Sequence, residues 1–286
     1  MRLLTRRQVS SRPASALLIL LIAAVATSFA AAQDPLRGWK VNAKTNALAL
    51  VAVDESPRDI TFFFKNVSGR TITAWIVLFG PDGQDVRRDH LDSFGGVLGG
   101  LVPGDAYPVS IGAQEASQYA DRTVEVSAVI FADGGSEGSP RSLSYMNHWR
   151  LGWMLETERV ARLFRTADAG DLDDASIGAL TERLGKPPGS PVEALASVQE
   201  ERLPGVSISD IRRADVDSLR AVFTGIHAAR NSGLRKLEEL RALPLSSSEP
   251  QARTRTSAFS RLRQEYEGLS AKDHAYCERM QGGTRQ

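Results

Sequence analysis

The chain has 286 residues, with 35 Lys and Arg against 34 Asp and Glu. That near balance lacks the basic footprint that phosphate neutralisation demands, so nucleic acid is excluded as a partner. A single cysteine, Cys277, excludes an intramolecular disulfide and leaves stability to packing.

Residues 1–32 read as a secretory signal peptide. Arg2, Arg6, Arg7 and Arg12, with no acidic residue among them, precede an apolar run from Ala14 to Ala26, and the small Ala30 and Ala32 place cleavage before Gln33. The other reading is an uncleaved anchor, since Ala14 to Ala31 offers 18 mostly apolar residues against the roughly 20 that a spanning helix needs. On either reading the arginines stay on the cytoplasmic side and the rest of the chain crosses. The expected location is periplasmic or extracellular, with membrane contact only if the signal is uncleaved. No cysteine stands at the cleavage site, so a lipoprotein is not expected. Thr5-Arg6-Arg7-Gln8-Val9 partly matches a twin-arginine signal, but Ser10 and Ser11 break that pattern. Loss of the four arginines leaves 31 basic and 34 acidic side chains, a net charge of −3.

The mature length favours two domains. From Trp39 to Leu143 the periodicity is that of strands. Ala47 to Val53, Asp59 to Lys65, Thr71 to Phe79, Ala106 to Ile111 and Thr123 to Ala132 are apolar or alternating runs rich in β-branched and aromatic residues. Asn66-Val67-Ser68-Gly69-Arg70 and Gly80-Pro81-Asp82-Gly83 supply turns. Short strands without helix-length segments between them predict an antiparallel β-sandwich over residues 33–140, because a parallel sheet lacks room for crossover helices. Phe64-Lys65-Asn66-Val67-Ser68, Ile72, Ile76, Asp82-Gly83 and Leu101-Val102-Pro103-Gly104 give this stretch a pattern that resembles the immunoglobulin-like domains of bacterial envelope proteins, the FxLYD type included. The resemblance implies an immunoglobulin-like sandwich and a role in binding or positioning other proteins. Trp75 is expected in the core.

After Gly138-Ser139-Pro140 the period becomes helical, so the predicted fold class is α+β, with residues 141–286 forming an α-helical hairpin or bundle. Met146, Trp149, Trp153, Val160 and Leu163 or Phe164 share one face of a helix over Ser144 to Thr166, with Glu and Arg opposite. Asp173 to Leu184 and Pro191 to Leu203 read as shorter helices, with a linker near 185–190. Asp210 to Leu243 reads as mostly helical with a break at Asn231-Ser232-Gly233, and a second linker lies near 244–250. Phe259, Leu262, Tyr266, Leu269, Tyr276 and Met280 form a seam at spacings of three and four, with Asp273 the exception. The simplest arrangement packs this last helix against residues 210–243 as an antiparallel hairpin; self-association through the helix 259–280 is the alternative. Cys277 falls on the apolar side and is expected to be a buried thiol.

Few residues carry the signature of chemistry. His90, His148, His227 and His274 show no metal-ligand spacing, no serine sits in a nucleophile motif, and no cofactor is expected. Gly95 to Gly100 lacks the spacing and lysine of a phosphate loop. Asp168, Asp171, Asp173 and Asp174 depart from a calcium loop, and helix capping accounts for them more simply. Asp133 and Glu137, at the end of a strand in a Gly-rich turn, are the ligand or ion candidates. No residue is assigned a catalytic or metal-binding role. The expected function is a non-enzymatic protein-binding or assembly module of the envelope. One alternative is a hydrolase built from Asp133, Glu137 and His148. Another is a carbohydrate- or cell-wall-binding module using exposed Trp39 or Tyr107.

Overall fold

A computed structural model describes residues 35–80, 86–91, 100–117, 122–167, 172–186, 216–243 and 254–283, with the backbone alone at 86–91 and 276–283. The signal segment, the helix expected at Pro191 to Leu203, most of both linkers, Gly95 to Gly99, Asp168, Asp171 and the side chains of His90, Tyr276, Cys277 and Met280 lie outside these residues.

The chain is α+β with largely antiparallel sheets. One sheet has the order β2 (Leu48–Glu55), β3 (Asp59–Asn66), β6 (Ala106–Gly112). The other has the order β1 (Lys40–Ala43), β7 (Thr123–Phe131), β4 (Ile72–Phe79), β5 (Val86–Leu91), with β8 (Ser136–Gly138) added to β7. Among the described residues the strand pairs are antiparallel except β1 with β7, which run parallel. A one-turn helix, α1 (Ala113–Ala116), follows β6. β1, β5 and β8 were not expected from the sequence. β1 is four residues long and exposed throughout, so it carries no burial pattern.

Alternation in β3 turns Ile60, Phe62 and Phe64 inward, where they meet Trp75, Val77 and Phe79 of β4 and Val124 and Val126 of β7 in one core. Trp75 lies in that core, as expected, with its ring 6.0 Å from Phe64. β4 is buried almost throughout because both its faces are covered. Ala74 and Ile76 point the other way, joining Ala128, Ile130 and Met146 in a second layer beneath the first helix. A register shift between Ile72 and Ala74 marks Thr73, which is buried and accepts a hydrogen bond from Arg150 at 2.8 Å.

Among the described residues four helices follow: α2 (Pro140–Thr166), α3 (Asp174–Gly185), α4 (Val216–Arg241) and α5 (Arg255–Gly283). The Gly-rich turn after β7 does more than release the chain from the sheet, because it doubles back as β8. Gly138 has φ +117°, and a Cβ there would lie 2.2 Å from the Ser127 carbonyl oxygen, so glycine is required. Ser139 N–H donates to that carbonyl at 2.8 Å, and the Ser127 and Ser142 hydroxyls bond at 2.8 Å, so α2 begins docked on the sheet.

α2 is the central element, covered by the sheet at its start and by α4 and α5 further along. This explains a departure from the expected polar face, since Arg150 and Glu156 are buried along with the apolar residues. A second correction concerns pairing. α4 packs chiefly against α2, and α5 also packs more on α2 than on α4, so the helices form a bundle around α2 instead of an α4–α5 hairpin. Glycine is the reason: a Cβ on Gly152 would lie 1.9 Å from the Val222 carbonyl oxygen, and one on Gly225 would lie 2.0 Å from that of Trp149. The two backbones cross where neither residue has a side chain. α4 also runs unbroken through Asn231-Ser232-Gly233. Gly233 serves packing there, because a Cβ would approach Leu184 Cδ2 to 2.9 Å. In α5, Phe259, Leu262 and Tyr266 are buried, with Phe259 and Tyr266 edge-on to Phe164 of α2 at 5.6 and 5.2 Å.

Candidate functional site

Asp133 lies in the turn between β7 and β8, opposite the loop that joins β3 to β4. Arg70 from that loop donates to Asp133 with Nε at 2.8 Å and with Nη2, forming a bidentate pair, and Gly135 N–H donates to Asp133 Oδ1 at 2.9 Å. The guanidinium lies over the Phe131 ring, 3.7 Å from its centroid. Gly135 leaves the space it occupies, since a Cβ there would lie 2.0 Å from Nη2. The Arg70 hydrogen bond, backed by Gly135 N–H, holds the Asp133 carboxyl below its usual range, and Asp133 raises the Arg70 pKa in return. Glu137, on β8, accepts from the Thr45 hydroxyl at 2.9 Å. Both candidates are exposed, and both are engaged in contacts that fasten one loop to another.

His148 sits two turns into α2, with Nδ1 2.7 Å from the Ser144 carbonyl oxygen. No hydrogen bond or ion pair joins any two of Asp133, Glu137 and His148, so no acid–base pair forms among them. Asp173 caps α3 as expected, accepting from Ser176 N–H at 2.7 Å, and that bond keeps its pKa low. Asp174 instead pairs with Arg255 at 2.8 Å. Arg255 also donates to the carbonyls of Arg241 and Leu243 at 2.6 and 2.7 Å, closing the C-terminal end of α4. Trp39, expected to be exposed, is buried, with its ring edge-on to Phe62 at 4.7 Å. The aromatic edge contacts of a core outweigh its position near the start of the strand region. Tyr107 is exposed, as expected, with its ring 5.6 Å from Trp75.

Two features of the helical region were not read from the sequence. The first is a buried charge network: Glu156 accepts from Arg159 at 2.6 and 2.9 Å and from Arg230 of α4 at 3.2 Å, and Arg159 donates onward to the Leu184 carbonyl at the end of α3 at 2.9 Å. Glu156 and Arg230 are both buried, so one carboxylate joins α2 to α4 and, through Arg159, to α3. The second is an open groove of about 680 Å³ along α2 and α4, lined by Trp153, Ala228, Leu234, Asn231, Ser232, Arg235 and Glu238. It is a trough open to solvent, not an enclosed cavity. Trp153 is backed by Trp149, with centroids 5.3 Å apart and planes at 22°. Asn231, Arg235 and Glu238 follow spacings of four and three, which puts them on one stripe of α4. The i, i+4, i+7 spacing was visible in the sequence. The tryptophan it faces was not, because that residue lies on another helix.

Comparison with protein-family models, with curated proteins and with solved structures finds no match for this chain.

Proposed function

We propose that this chain is an exported, non-enzymatic envelope protein that works as a protein-binding or assembly module. The groove between α2 and α4 carries this reading. It sets Trp153 and Leu234 between the polar Asn231, Arg235 and Glu238, an apolar strip with a polar rim of the composition that protein interfaces favour, with Trp and Arg among their strongest contributors. Two sheets facing each other over an aromatic core support the immunoglobulin-like reading of the strand region. The arginine-led apolar segment at residues 1–32 supports export, periplasmic or extracellular.

The test is a photo-crosslinking residue placed at Asn231 in living cells, with Arg141 as the control position because it is exposed at the start of α2, away from the groove. A discrete protein adduct from position 231 that disappears with Trp153→Ala is the expected outcome. Equal or absent adducts at the two positions refute the groove as a protein-binding surface.

A further inference from the structure

We infer that the partner in this groove is a second copy of the chain, seated so that the two α4 helices run antiparallel across a two-fold axis. This rests on the reading of the groove as a protein-binding surface and adds the identity of the occupant. Arg235 and Glu238 lie on the groove stripe, and neither is in an ion pair among the described residues, whereas Lys236 and Glu239 beside them approach each other to 3.8 Å. Three residues separate the two charges by about 4.5 Å along the helix axis. An antiparallel copy reverses their order, so Arg235 of each chain faces Glu238 of the other and the pair is made twice. A parallel copy sets like charges together.

Such a contact is isologous, with the same patch used by both copies, which is the commonest way for a soluble chain to close a dimer. Trp153 and Leu234 supply the apolar part beneath the charges. The seam of α5 is not open for the purpose along its first half, since Phe259, Leu262 and Tyr266 are buried within the chain.

The experiment is sedimentation equilibrium of the full chain recovered from the envelope, as wild type, Arg235→Glu, Glu238→Arg and the double exchange, with circular dichroism checking that each folds. The wild type is expected to be a dimer. Each single reversal turns two symmetry-related attractions into repulsions and raises the dimer Kd about tenfold. The double exchange restores both pairs and returns the Kd to near the wild-type value, which loss of folding cannot do. A monomeric wild type, single reversals without effect, or a double exchange that fails to restore the dimer each overturn the inference. A monomer that still yields a groove adduct with a different protein overturns the dimer and leaves the protein-binding reading standing.

Discussion

In the sheet region the buried polar side chains are amides and hydroxyls, and most of their partners are backbone groups. Asn66 donates to the carbonyls of Arg70 and Leu101 at 2.8 and 2.7 Å and accepts from Ser68 N–H at 3.0 Å, which closes the loop between β3 and β4. In the helical region the buried polar groups include charges, and some of these reach across to other helices: Glu156 pairs with Arg230, and Arg255 reaches from α5 to the end of α4. The difference has a physical origin. Strands pair through their backbones, so side chains are needed only to finish the loops. Helices satisfy their own backbones internally, so which helix lies beside which must be decided by side chains and by how closely two backbones can approach.

The largest expected effect breaks the helical side of this comparison. Glu156→Ala leaves Arg230 buried without its carboxylate, and a loss of about 3–5 kcal/mol in the free energy of unfolding is expected from denaturant titration. If the charges serve to choose partners instead of adding net stability, replacing Glu156, Arg159 and Arg230 together by Met recovers most of that loss. Next comes Gly225→Ala. Its Cβ would lie 2.0 Å from the Trp149 carbonyl oxygen, and prising the α2–α4 crossing apart is expected to cost about 3 kcal/mol, read as a fall in Tm. On the sheet side, Asn66→Ala removes one of two donors from each of the Arg70 and Leu101 carbonyls, which keep the Ser68 hydroxyl and the Ile72 N–H, and takes the acceptor from Ser68 N–H; a cost of about 1–3 kcal/mol is expected.

The smallest effects are in pH, and they separate the two regions by direction. The folded-state pKa of Asp133 is depressed by Arg70, so its contribution is present above the ordinary carboxyl value of 3.8 and is lost as pH falls through the lower folded value. The Gly135 amide resonance should therefore move only below about pH 4, and Asp133→Asn should abolish that response. Tyr266 of α5 is shifted upward by burial, against the opposing hydrogen bond with Ser232. Its contribution is present below the ordinary value of 10.0 and is lost as pH rises through the folded value. Alkaline loosening should therefore begin in the helical region and be reduced by Tyr266→Phe, as followed by hydrogen exchange in α5.

Much of the fold was legible in the sequence. β3 spans Asp59–Asn66, close to the expected Asp59 to Lys65, because Ile60, Phe62 and Phe64 alternate with half-exposed neighbours. The start of α3 was legible in Asp173, whose carboxylate has a backbone N–H to cap. The burial of Trp39 was hidden, since a lone tryptophan ahead of a short exposed strand reads equally as surface or core. The candidate site was less legible still. Asp133 and Glu137 were found by type and position, but the sequence does not reveal that Arg70, 63 residues earlier, lies across Asp133.

What the sequence by itself determined is the set of segments: where strands give way to helices at Pro140, which residues alternate, which recur at three and four, and where a cap begins. These follow from the local geometry of the backbone, which a few neighbouring residues express. Only the tertiary structure decided that α2 is shared by the sheet and by α4 and α5, that Gly152 and Gly225 meet, and that Glu156 faces Arg230. Those choices belong to pairs of residues far apart in the chain. No periodicity within one helix records the face that another will present to it.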